Sequence, residues 1–119
     1  MFVAPVAFAR IVINTIDPVA IVADNGRHII VTGPIRCDQE ERADLRVTVT
    51  QRDTGAVAEG STIFTCTVET QQWEVHAVTH GKATFEEGPA TAVAVASTSS
   101  RRQTTDAHQW LVAITLVGE

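Results

Sequence analysis

Over residues 44–52 the chain alternates with a period of two: Leu45, Val47 and Val49 share one parity, and Arg46, Thr48, Thr50 and Arg52 share the other. A helix, whose faces repeat every 3.6 residues, cannot gather those three apolar side chains on one side. A strand with one face on a core does so directly. The same period recurs along the chain. Residues 27–37 carry Ile29, Val31, Ile35 and Cys37 on one parity, and residues 61–68 carry Phe64, Cys66 and Val68. Residues 72–79 carry Trp73, Val75 and Ala77, residues 90–98 are an Ala/Val alternation, and residues 108–117 carry Trp110, Val112, Ile114 and Leu116. With residues 18–23 as a first strand, the spacing predicts about seven strands in an all-β chain.

The punctuation between these runs agrees. Asn25-Gly26 is a strong hairpin signal, and Asp53-Thr54-Gly55 and residues 69–71 are turn chemistry. Gly33-Pro34 interrupts the second strand and predicts a bulge or an edge position, because proline cannot donate to a ladder. Residues 38–45 have helical composition without an apolar stripe and are expected to form a loop or one short turn. The polar residues 97–106 are expected to form a loop, and Phe85 to plug one end of the core. At 119 residues there is room for one core only, and residues 10–119 are assigned to a single domain.

Two cysteines, Cys37 and Cys66, both fall on inward parities. That is what a bridge between two packed sheets requires, so the expected architecture is an immunoglobulin-like two-sheet antiparallel sandwich with a Cys37–Cys66 disulfide, with a barrel as the alternative. A disulfide implies an oxidising, extracytoplasmic compartment. Residues 1–9 read MFVAPVAFA and end in an Ala-x-Ala pattern. They are read either as the tail of a signal peptide or as an N-terminal strand.

Composition narrows the function classes. The formal net charge is −5 and Lys82 is the single lysine, which argues against a nucleic-acid partner. No apolar run is long enough for a membrane helix. The sequence has no nucleophile elbow, zinc-protease motif, phosphate loop or calcium loop, so no catalytic residue, cofactor or metal is expected. The surface candidates are Glu74, His76 and His80: Glu74 and His76 share the outward face of one strand and His80 ends it, a spacing open to a metal or acid–base cluster and equally usual for a solvent face. Trp73 and Trp110, which share parity with aliphatic neighbours, are assigned to the core.

Taken in order, Pro18, Ala20 and Val22, the Asp-Asn-Gly turn, Val31-Thr32-Gly33, Cys37, the strand Leu45-x-Val47-x-Val49-x-Gln51, Cys66 before Trp73, and Phe85 with Gly88-Pro89-Ala90 resemble small secreted Ig-like domains of uncharacterised function found in actinobacteria and other soil bacteria. The layout is more distantly similar to the neocarzinostatin-like apoproteins, which carry two disulfides where this chain has cysteines for one. The resemblance implies export, one disulfide and a compact sandwich, and it carries over no site residues. The expected role is a secreted or cell-surface, non-enzymatic module that is structural or binds an unidentified protein or cell-surface partner. Two alternatives accompany it: a self-assembling subunit that adds its apolar N-terminal arm, residues 2–15, as a strand to another copy, and a module binding a small ligand or carbohydrate.

Overall fold

In the computed structural model, residues 11–38, 40–101 and 103–119 are described, with the side chains of residues 12–14 left aside. The chain is all-β. Its strands are β1 (Ile11–Asn14), β2 (Val19–Ala23), β3 (His28–Cys37), β4 (Arg42–Gln51), β5 (Ala56–Thr65), β6 (Gln71–His80), β7 (Gly88–Ser100) and β8 (Gln103–Gly118). A 3-10 turn, Asp24–Gly26, joins β2 to β3. Asp24, Asn25 and Gly26 all have positive φ there, which Asp, Asn and Gly tolerate best.

The hydrogen-bonded order is β1-β3-β2-β8-β7-β4-β5-β6, and an additional β3–β6 ladder closes it into a ring of seven strands with β1 outside. Two features differ from a simple antiparallel sandwich: the sheet closes on itself, and β2 pairs with β8 in parallel. The closure is uneven. β5 and β6 pair only over Val57–Glu59 against Val78–His80. β8 meets β2 only through Thr115–Gly118. Elsewhere along these two seams the strands fall into two hydrogen-bonded groups, β1-β3-β6 and β5-β4-β7-β8.

The Cys37–Cys66 disulfide joins these two groups at the end where the seams are unpaired, with Cα atoms 5.6 Å apart. Both half-cystines are buried. The turn after β3 is tied to the same point, as Glu40 N donates to Cys66 O and Cys66 N donates to Glu41 O. One end of the molecule is therefore closed by backbone ladders and the other by a covalent bond.

The inward parities pack as the alternation requires. Leu45, Val47, Val49, Ile29, Val31, Val75 and the alanines of β7 are buried together with Ile114 and Leu116. Alanine on β7 where β4 offers Leu and Val matches small to large across a ladder, which keeps the layers close. Trp73 is buried and Trp110 packs half-buried against the core. Phe85 fills the closed end, its N–H donating to Gly26 O. A Cβ at Gly26 would collide with the Phe85 carbonyl, so glycine serves both the positive φ and the contact.

Four expectations need correction. The Gly33-Pro34 strand is no edge: β3 is paired with β6 along residues 28–35 and with β1 and β2 on its other side. Pro34 is tolerated because its nitrogen faces the break between β1 and β2, where its carbonyl accepts from Thr15 N. Gly33 lets that break approach, since a Cβ there would meet the Thr15 carbonyl and the Trp73 ring. Of residues 38–45, those from Arg42 on are strand, not loop, and Ala43 and Leu45 already carry the inward parity of β4. The polar residues 97–106 are mostly strand, since β7 and β8 run on as a ladder to Ser100 and Gln103. Thr and Ser have the right shape for a pleated surface, and buried Thr98 finds a hydroxyl partner in Thr105. Finally, Val68 is exposed and lies beyond the end of β5.

Candidate functional site

Three titratable side chains, His28, Glu74 and His76, are linked on the outer surface of β3 and β6. Register places His28 opposite Val78, Ile30 opposite His76 and Thr32 opposite Glu74. The even residues of both strands point outward, so His28, His76 and Glu74 lie on one face. His76 Nε2 is 2.7 Å from Glu74 Oε2. His76 Nδ1 is 2.8 Å from His28 Nε2, with the rings edge-on at 4.9 Å between centroids. Farther along the face, Asp17 Oδ2 accepts from Thr32 Oγ1 at 2.7 Å and from Gln72 Nε2 at 2.8 Å.

Of the three residues singled out from sequence, Glu74 and His76 are in contact. His80 is drawn the other way, to Glu59 of β5 at 3.4 Å, because β6 pairs with β5 at that end. His28 joins the pair without any signal in the local sequence, since it lies 48 residues from His76. Only the β3–β6 register brings the two together. Among the described residues, no group of three or more His, Cys, Asp and Glu is arranged to hold a metal ion.

A second cluster lies at the unpaired stretch of β8. Asp106 accepts from Ile11 N at 3.1 Å and from Ala107 N at 2.9 Å, and its Oδ2 is 2.9 Å from His108 Nε2. His108 in turn stacks on Trp110, centroids 5.4 Å apart. Burial alone would raise the Asp106 carboxyl, but the backbone donors Ile11 and Ala107 together with His108 hold it below its ordinary value of 3.8. The cluster is a clasp between β8 and the start of β1, where no ladder joins them.

The grooves are shallow. One of 170 Å³ opens along the β5/β6 seam between Phe64, Gln72, Trp73 and Glu74. Another of 430 Å³ lies at the closed end beside Asp24, Arg27, His28 and Lys82. The broadest surface is the outer face of β5-β4-β7-β8. Across its register, Thr48 is flanked by Glu59 and Val93, and Arg46 by Ser61 and Val95. Leu111, opposite Val93, is 71% exposed, and Ile63 and Val95 are exposed on the same face.

No family model matches the chain, and no curated protein matches it. Among solved structures, the chain is similar to a β-glucuronidase from glycoside hydrolase family 2, with a TM-score of 0.37 and 11% identity over 86% of this chain. It spans 11% of that much longer chain.

Proposed function

We propose that this protein is an exported, Ig-like module with a non-enzymatic role, structural or binding, at or beyond the cell surface. The observation that carries the reading is the position of the cystine. It links β3 to the end of β5 across the two strand groups, where the seams lack ladders. Such a link is what an inter-sheet disulfide does in an Ig-like sandwich, and a structural cystine of this kind persists in an oxidising compartment. The parallel β2–β8 ladder then acts as a zip that closes the two strand groups into a barrel at the other end.

The side-chain distribution supports the non-enzymatic half of the proposal. Apolar side chains and the cystine fill most of the interior, the buried carboxylate Glu41 at the cystine end is held by Thr105, and the histidines lie on strand faces or at the β8 seam. The surface best suited to a protein partner is the outer face of β5-β4-β7-β8. It is broad, rich in Thr, Ser and Val, and has Leu111 standing clear of it.

Fractionation of the producing cells tests export. The protein is expected outside the cytoplasm, with neither cysteine reacting with a maleimide until reduction. Recovery from the cytoplasm with two reactive thiols would overturn the proposal. A photoreactive probe at Leu111 is expected to give a discrete protein adduct on intact cells, and the same probe at Val78, exposed on the outer face of β6, none.

A further inference from the structure

We propose that His28 and His76 form a two-imidazole site for a divalent ion of tetragonal preference, Cu2+ or Ni2+, with Glu74 as the residue that orients His76. The Glu74 carboxylate accepts at 2.7 Å from His76 Nε2, which places the His76 proton on Nε2 and leaves Nδ1 as a bare lone pair. That lone pair faces His28 Nε2 at 2.8 Å. Without an ion, His28 donates its Nε2–H across the gap. Transfer of the His28 proton to its own Nδ1 turns the hydrogen bond into two lone pairs facing one small space.

The ligand type selects the ion. The 2.8 Å separation is that of an N–H···N hydrogen bond, in which donor and lone pair point along one line, so both rings must turn until their lone pairs converge on an ion about 2.0–2.1 Å from each nitrogen. Imidazole nitrogens suit copper and nickel, and a carboxylate behind a ligating histidine is the usual device for fixing its ring. His76 is 49% exposed, so water completes the coordination, and the two rings turn into place without disturbing the core. The surroundings are mixed. Glu74 and Asp24 favour a cation, Arg27 and Lys82 oppose it from the groove beside His28, and Ile30 and Val78 are the neutral neighbours across the strands.

Titration of the full-length protein with Cu2+, followed by calorimetry and electron paramagnetic resonance, tests the site. Binding of a single ion with a tetragonal, two-imidazole signature is expected. His28→Ala and His76→Ala should each weaken it more than tenfold, and Glu74→Gln by roughly 10–100-fold. His80→Ala should leave it unchanged. All four side chains are on the surface, and circular dichroism confirms that the variants fold. Absence of binding, or binding indifferent to His28→Ala and His76→Ala, would overturn the proposal.

Discussion

Glu41 is a buried carboxylate, 4% exposed, at the cystine end of the molecule. Thr105 Oγ1 donates to its Oε2 at 2.6 Å, and that fixes the direction of the next bond: Thr98 Oγ1, 2.9 Å away, must donate to Thr105. The chain of hydroxyls lets two polar strands pass over a charged group. Thr105→Val removes the middle donor and is expected to cost about 1–3 kcal/mol in denaturant unfolding, where an exposed threonine replaced by valine is close to neutral. Asp106 makes a prediction of its own. Because its folded value lies below 3.8, its contribution to stability is complete above that pH and is lost as the pH falls through the lower folded value. Acid titration of stability should therefore show a loss below pH 3.8 that Asp106→Asn lacks. An identical acid profile for the two proteins would remove the clasp between β8 and Ile11.

β8 shows how much parity alone decides within an element. Leu116 is 1% exposed and Leu111 is 71% exposed, five positions apart on the same strand. Leu116→Ala is expected to cost about 2–5 kcal/mol. Leu111→Ala is expected to stay within about 0.5 kcal/mol, as a surface change does. Strand parity was legible in the sequence because apolar residues alternate there without interruption, and so were the Cys37–Cys66 pairing, the turn at Asn25-Gly26 and the plug at Phe85. The extent of β7 and β8 was not, since Ser and Thr read as loop by polarity although their shape suits a strand. The interior place of β3 was missed for a related reason. Pro34 signals an edge, and only the break between β1 and β2 supplies the local gap that it needs. Likewise Glu74 and His76 were visible as a strand pair, whereas His28 depends on a ladder between strands far apart in the chain.

The whole molecule is 60 Å long and 23 × 21 Å across. β8, at 16 residues and about 3.4 Å per residue, runs nearly that length, and the β7–β8 ladder is its spine. Two different closures sit at the ends of this body: the β2–β8 and β5–β6 ladders at one, the cystine at the other. The cysteines are 29 residues apart, so closing that loop is worth about 3–4 kcal/mol on the chain-entropy account, and Cys37→Ser with Cys66→Ser should lower stability by about that much. This loss is local before it is global, because ladders hold the opposite end without the cystine. Hydrogen exchange of the oxidised and reduced protein, read amide by amide, separates the two ends. Reduction is expected to speed exchange at Ile35–Cys37 and Ile63–Cys66 while Thr115–Val117 and Ala58–Glu59 keep their protection. Equal acceleration at both ends, or no change at the cysteine end, would contradict it.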